Sequence, residues 1–464
     1  MTQPAMFHAV WTALGGDVDE CQRVTLTTDG ALPSAYRVTE LASASMAAVA
    51  LSIAKLRALN SGQPIESVEV DRRLASLWFS SSLRPSGWKV PSLWDAVAGD
   101  YRTKDGWIRL HTNAPHHRSA AEHILGAQTD KASMAKAVAQ WDKLALESAI
   151  VEAGGCAAQM RSPEQWSQHP QGRAVADEPL IHLDRRACVN VSSRAVDPAR
   201  PLAGIKVLDL TRVLAGPIAT RCLAAYGAQV LRIDSPDWNE PGVVPEVTLG
   251  KRLIRMNLRD QVALQTFKQL LASADVMVHG YRADALENLG LGSAVRQEIN
   301  PHLIDISLNA YGWSGPWRNR RGFDSLVQMS SGIAYTGMQQ AQAEQPVPLP
   351  VQALDHATGY LMAAAAIVGI TERLHAHTVL HARLSLARTA QLLREQGVQG
   401  PRNAFAVETD ADIAPALEHT AWGDARRLFW PIKIQGCDAK WALPAHELGS
   451  DTAQWSSFND FKLI

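Results

Sequence analysis

The sequence predicts an α/β fold built on a parallel sheet, with a smaller α+β domain in front of it. Between residues 205 and 308, short β-branched stretches alternate with helical ones, the pattern of repeated strand–helix–strand units. Residues before 184 lack that alternation and read as helix, strand, hairpin and then helices. Two Ala-rich stretches, Met46-Ala-Ala-Val-Ala and Met362-Ala-Ala-Ala-Ala, echo each other, which points to a helix-plus-strand unit occurring twice. A chain of 464 residues has room for two or three domains.

In the α/β part, 205–211 is the first strand. Gly216-Pro217 opens an apolar helix, 218–226, and Gly227 stops it. Strands follow at 229–234 and 253–258. Asp260 starts a helix that runs to 272, 275–279 is a strand, 284–299 is one helix and 302–308 is again a strand. Ligands on such sheets sit beyond the carboxyl ends of the strands. In the front part, 40–57 is a helix, 68–71 a strand, and 99–111 a hairpin turning at Asp105-Gly106. Helices follow at 120–125, 134–141 and 144–153. The expected division is 1–80, a helix and strand of a truncated first copy; 81–183, the small α+β domain; 184–200, a polar linker; 201–395, the α/β domain; and 396–464, a C-terminal segment packing back on it.

Composition narrows the function classes. Apolar residues make up 46% and charged residues 20%, which excludes a disordered or low-complexity chain. With 45 Lys+Arg against 46 Asp+Glu the net charge is −1, so no global field draws nucleic acid or an anionic membrane. Any anionic ligand must be held locally. The N-terminus has no basic stretch leading into an apolar run, and the longest apolar runs, 46–54 and 360–370, are half of the ~20 residues that span a bilayer. The five cysteines are scattered without a CxxC pair, which fits the reducing cytoplasm and inert thiols, not disulfides or zinc.

No GxGxxG follows the first strand and no GxxxxGK[ST] occurs, so neither a simple dinucleotide site nor a P-loop is expected. Asp355 stands directly before the apolar stretch 360–370. A carboxylate there meets free backbone N–H groups and the positive end of the helix dipole, stays ionised, and can be a nucleophile. A plain N-cap aspartate reads the same way. The loop Tyr311-Gly-Trp-Ser-Gly-Pro-Trp317 with Arg318, Arg320 and Arg321 can hold a flat, phosphorylated ligand, or be a solvated surface loop. His111 with His116-His117, and His375, His377 and His381, have no HExxH-like spacing, so no metal is expected. No GxSxG elbow is present.

Taken in order, the motifs resemble the class III CoA-transferase family, which includes formyl-CoA and carnitine CoA-transferases and α-methylacyl-CoA racemases. They are Pro201 to Pro217, Gly227 to Ile233, Gly250-Lys-Arg252, Ala274 to Arg282, Leu289-Gly-Leu-Gly292, Asn300-Pro-His-Leu-Ile304, Tyr311 to Pro316, Gly322-Phe-Asp324, and Asp355 with Thr358-Gly359. Asp355 matches the family's catalytic aspartate. Residues 99–117 and 141–172 also resemble the family, but out of order: they look like the small domain that normally follows the catalytic half. The chain thus resembles one enzyme rearranged, a truncated first copy supplying the small domain and a second copy supplying a Rossmann-like, CoA-binding α/β half. The first copy's counterpart of Asp355 falls near Thr39 or Glu40, so no second site is expected.

The resemblance implies a cytoplasmic homodimer whose partners are an acyl-CoA and a small carboxylic acid, with coenzyme A as the carried group and no metal, nucleic acid or membrane. It implies that Asp355 attacks a thioester, forms a mixed anhydride and then an aspartyl-CoA thioester, and passes CoA to a second acid. Backbone N–H groups must stabilise the oxyanions, and the stretch 82–87 is a candidate. Leu214 and Ala215 match turn positions that line the CoA site. Lys251 matches a lysine near the phosphates, and Tyr281 and Ala285 match positions beside the adenine. Asn288 replaces a usual Arg there, and Gly280 a usual Asn. Arg321 and Phe323 match positions along the thiol arm. Leu214 stands where formyl-CoA transferase has Gln, which disfavours formate and oxalate. The alternatives are an α-methylacyl-CoA racemase or epimerase, which needs a second base where Phe323 stands, and a non-catalytic acyl-CoA-binding protein.

Overall fold

The computed structural model describes residues 5–189, 194–281, 284–400 and 402–455. Arg282, the end of one family-like motif, lies outside them, as do parts of the expected linker and C-terminal segment. The chain begins with α1 (Ala5–Ala13), β1 (Val24–Thr27), α2 (Val38–Ser61), β2 (Val68–Asp71) and α3 (Arg72–Trp78). β1 and β2 are parallel and α2 is their crossover. α2 is small and apolar around almost its whole circumference, the mark of a helix wrapped by other elements. Gly62 ends it at φ +67°, a left-handed conformation that costs glycine little.

The small unit contains β3 (Leu83–Pro85), β4 (Gly99–Thr103), β5 (Gly106–Leu110), α4 (Pro115–Leu125), α5 (Lys131–Val138), α6 (Lys143–Glu152) and β6 (Ala157–Gln159). β4, β5 and β6 form an antiparallel sheet over a core that includes Tyr101, Ile108, Val138 and Ile150. Thr103 pairs with Gly106, so the hairpin turns at Lys104-Asp105, one residue earlier than expected. α7 (Pro163–Gln168) and α8 (Pro170–Asp177) follow, and then β7 (His182–Ala187). β7 occupies the start of the expected linker: its polar residues form an antiparallel edge strand on the main sheet, and an edge strand needs no apolar outer face.

The α/β half runs through β8 (Lys206–Leu210), α9 (Ala215–Ala225), β9 (Gln229–Asp234), α10 (Val244–Val247), β10 (Lys251–Arg255), α11 (Gln261–Ala272), β11 (Val276–His279), α12 (Ala285–Asn288) and α13 (Ser293–Ile299). It continues with β12 (Ile304–Asn309), α14 (Asp324–Ser330), α15 (Ile333–Gln340), α16 (Ala353–Ala376), β13 (Thr378–Ser385) and α17 (Leu386–Glu395). Asp260 caps α11 by accepting the Ala263 N–H at 2.9 Å. The expected single helix over 284–299 is two helices, broken where Gly290 takes φ +69°. The third strand starts at Lys251, two residues before its expected start.

Among the described residues the main sheet has seven strands in the order β10-β9-β8-β11-β12-β13-β7, all parallel except β7. The chain starts in the middle at β8, builds one way to β10, then crosses to β11 and builds the other way. The crevice beyond β8 and β11 is therefore the switch point where ligands collect.

The last strands are β14 (Glu418–Thr420), β15 (Gly423–Arg427) and β16 (Ile432–Ile434). The expected packing of this segment on the α/β half is only part of what it does. β15 extends a sheet with β3, and β16 adds to β2, while the Trp441 indole donates to the Arg221 carbonyl of α9 at 2.9 Å. At the centre α16 is clasped between α2 and α9. α2 and α16 have 24 residues each, longer than the apolar runs suggest, and pass a length-and-composition test for a membrane span. Each is mostly buried within the protein itself.

Candidate active site

Asp355 is the third residue of α16, in its first turn and not at its N-cap. The N-cap, Gln352, supplies no side-chain cap. The first N–H, of Ala353, turns back onto the Val351 carbonyl at 2.8 Å. The next two, of Leu354 and Asp355, donate to the Asp324 carboxylate at 2.8 and 3.0 Å. Asp324 starts α14 and is completely buried, and its other oxygen accepts from the Gln328 amide. Asp324 is thus the cap of α16, delivered from a different helix.

This reverses one expectation. The helix N–H groups do not hold the Asp355 side chain in its ionised form, because Asp324 takes them. Asp355 is 7% exposed, and burial together with the neighbouring Asp324 raises its carboxyl well above the ordinary range. Burial pushes Asp324 up to about 6, against the donors that face it. Two carboxyls this close do not ionise together, and the one with three hydrogen-bond donors takes the charge first. Asp355 therefore keeps its proton longer.

Asp355 opens into a cavity of about 420 Å³ at the switch-point crevice. Ala215, Tyr281, Ala285, Arg321 and Phe323 line it, as the sequence places them. Leu214 stands at the N-cap of α9 and packs into the main core. Asn288 is exposed at the end of α12. Lys251 has no exposure: its ammonium donates to Asp209 at 3.0 Å and to the Pro217 carbonyl at 2.8 Å, and burial lowers its pKa to about 8. The Lys251–Asp209 pair ties β10 to β8 under α9, and Lys251 does not line the cavity. The stretch 82–87 is also elsewhere. Its Ser82 and Leu83 N–H groups donate to Glu246, both at 3.1 Å.

The cavity also carries Arg318, which the sequence offered beside the 311–317 loop, and groups that it did not single out. The Arg212 guanidinium lies 4.3 Å from the Trp238 ring centroid and 5.8 Å from that of Tyr281, a cation–aromatic layer at one side. Arg259 and Arg318 add exposed positive charge at the rim. Arg212 was in view within its motif, but Trp238 and Arg259 lie outside every motif. Val213, between β8 and α9, has φ +64°, a strained conformation for a β-branched residue. Its N–H donates to Glu240 at 3.0 Å, and Glu240 is paired with the buried Arg232 at 2.6 Å.

The small unit builds the opposite wall. His111, just after β5, stacks on Phe323 with ring centroids 3.7 Å apart, and His117 meets the same ring edge-on at 5.7 Å. Burial keeps both imidazoles neutral, His117 falling to about 3. Glu147 of α6 pairs with Arg161 at 2.7 Å and with Arg320 at 2.9 Å, and Arg320 lies 3.9 Å from the Trp317 ring centroid. Gln171 and Glu178 latch the backbone of the 311–317 loop: Gln171 donates to the Tyr311 carbonyl at 2.8 Å, and Glu178 accepts from the Ser314 N–H at 2.7 Å. Among the described residues no cluster of three His, Cys, Asp or Glu side chains is placed to hold a metal.

Residues 202–409 match the family model described as CoA-transferase family III. The chain is similar to an acyl-CoA transferase of Gibberella moniliformis, 27% identical over 71% of this chain and 64% of that protein. It is also similar to the succinyl-CoA:glutarate CoA-transferase of Mus musculus, 35% identical over 38% of this chain and 43% of that one. Among solved structures, it resembles a hypothetical protein from Mycobacterium tuberculosis at 31% identity and a TM-score of 0.38, covering 43% of this chain and 56% of that one. The chain thus spans about half to under two thirds of the length of these relatives. The family resemblance is therefore carried by residues 202–409, which hold most of the α/β half and Asp355.

Proposed function

We propose that the protein moves CoA from an acyl-CoA thioester to a carboxylic acid, with Asp355 as the nucleophile. One observation carries the reading: a buried carboxyl, 7% exposed, at the first turn of an apolar helix opens into a cavity rimmed by arginines and an aromatic layer. Arginine suits the phosphates of CoA, and the Arg212–Trp238–Tyr281 layer suits its adenine.

In the proposed sequence the Asp355 carboxylate attacks the thioester carbonyl and CoA leaves as a thiolate, giving an acyl-aspartyl anhydride. The thiolate attacks the Asp355 carbonyl, releasing the first acid as its carboxylate and leaving an aspartyl-CoA thioester. The carboxylate of the second acid attacks that thioester, and the thiolate returns to its acyl carbonyl, regenerating Asp355. Thioester energy is retained at each step. Phe323 and its stacked imidazole wall exclude water, which would otherwise hydrolyse the anhydride.

Incubating the protein with a panel of acyl-CoAs, followed by mass spectrometry, is expected to find CoA on Asp355. Exchange of CoA between an acyl-CoA and a free acid is expected to vanish in Asp355→Ala. Exchange retained in that variant would sink the mechanism. Homodimeric assembly and a cytoplasmic setting are part of the same proposal, the latter supported by free cysteines of which four are buried.

A further inference from the structure

The duplicated unit places a second carboxylate where Asp355 stands. α2 and α16 have equal length and enter their first turns alike. Their N-caps, Arg37 and Gln352, have φ/ψ of −76/59° and −75/63°. The first helical N–H of each bends back two residues, Val38 to the Tyr36 carbonyl and Ala353 to the Val351 carbonyl, both at 2.8 Å. Counted from those caps, the third helical residue is Asp355 in α16 and Glu40 in α2. β1–α2–β2 also echoes β12, α16 and β13, each a pair of neighbouring parallel strands joined through the long helix, with α14 and α15 inserted before α16.

The surroundings of the two acids differ. The connection from β1 to α2 is short and contains no helix to deliver a counterpart of Asp324. Instead Arg72 and Arg402 both approach Glu40 Oε1, each at 3.4 Å. Glu40 is 7% exposed, and its Oε2 has no hydrogen-bond partner among the described residues. It lines a cavity of about 960 Å³ together with Arg37, Arg72 and Arg402. Met6, Val18, Val24 and Leu26 form an apolar wall, and Asp19, Asp29 and His8 also face the space. The contrast with Arg73 is informative: its guanidinium grips Asp412 through two bonds of 3.0 and 2.9 Å. Arg72 also reaches the Thr28 carbonyl at 3.4 Å and lies 3.9 Å from Asp29, whereas the half-exposed Arg402 meets Glu40 through one long contact and keeps donors for a ligand.

A buried acceptor without a donor, beside a loosely held Arg402, defines a complementary ligand. It carries a carboxylate for the arginines and a neutral donor for Glu40 Oε2. A hydroxyl is the simplest neutral donor, and the apolar wall takes an aliphatic chain. We propose that the Glu40 cavity is a second binding site, separate from Asp355, for an aliphatic hydroxy-carboxylate.

The test is titration calorimetry of the full chain with 3-hydroxyhexanoate and with hexanoate. Saturable binding of the hydroxy acid is expected, with hexanoate at least about tenfold weaker because Glu40 Oε2 then stays unpaired. Asp355→Ala is expected to bind as the parent does, whereas Glu40→Ala and Arg402→Ala are expected to lose about tenfold or more. The Arg402 side chain is 43% exposed, so its variant keeps the test valid if Glu40→Ala does not fold. Absence of saturable binding up to about 20 mM would overturn the proposal, as would equal binding of hexanoate. Binding lost in Asp355→Ala but kept in Arg402→Ala would assign the ligand to the other cavity, and the proposal would fall while the transferase reading stood.

Discussion

Asp324 and Asp355 divide the start of α16 between them, one accepting its N–H groups and the other facing the cavity. A carboxyl with a raised pKa is neutral below that value and a nucleophile only above it. Formation of the CoA adduct on Asp355 is therefore expected to rise with pH above the range in which ordinary carboxylates ionise. Asp324→Asn removes the neighbouring charge, and the rise is expected to move to lower pH. The asparagine oxygen still accepts the two N–H groups, so the loss of stability stays near ~1 kcal/mol. An unmoved pH profile in this variant would contradict the assignment. Asp355 itself was legible as a carboxylate ahead of an apolar helix within a family-like motif. Its ionisation was not, because the residue that captures the helix N–H groups lies about thirty positions earlier and is brought there by tertiary folding. Lys251 was misplaced for the same reason, its partner Asp209 being on another strand.

The paired helices show what was legible at the level of elements. Both α2 and α16 were visible as Ala-rich runs, and alanine is what allows helices to lie this close together. Gly359 has a more specific role where α16 meets α9. A Cβ there would lie 2.4 Å from the Ala215 carbonyl oxygen, which is backbone and cannot rotate away. Gly359→Ala is expected to destabilise the protein by about 2 kcal/mol and to displace Ala215 at the cavity. Thermal unfolding checks the first effect and CoA adduct yield the second. Asp260 announced α11 through its capping chemistry. β7 escaped notice because an edge strand of His, Asp and Arg carries no period-two apolar pattern, and the break between α12 and α13 was hidden by helix-forming residues on both sides of Gly290.

Across the whole molecule, separate stretches of chain converge on Glu246. It accepts from Ser82 and Leu83, pairs with the buried Arg221 of α9, and is met by Arg427 from β15 at 3.4 Å. Burial favours its neutral form, but Arg221 and Arg427 outweigh that and hold its pKa at about 2. Its folded pKa lies below the unfolded value of about 4.3, so its stabilisation is complete above that pH and lost as pH falls toward 2. Glu246→Gln leaves two buried guanidiniums short of a partner and is expected to destabilise by about 3 kcal/mol, read from the urea midpoint at neutral pH. This knot was invisible in the sequence, since its members lie far apart and belong to no motif. The contact of His111 and His117 with Phe323 joins the small unit to the α/β half across about two hundred residues of sequence. The late strands β15 and β16 complete sheets begun by β3 and β2. During synthesis β2 emerges with only β1 beside it and β3 with no strand beside it, and both wait for the ribosome to deliver nearly the entire chain before β16 and β15 pair with them. The N-terminal half is thus a dependent nascent segment, and premature termination after the main sheet would expose adhesive strand edges rather than release a stable fragment.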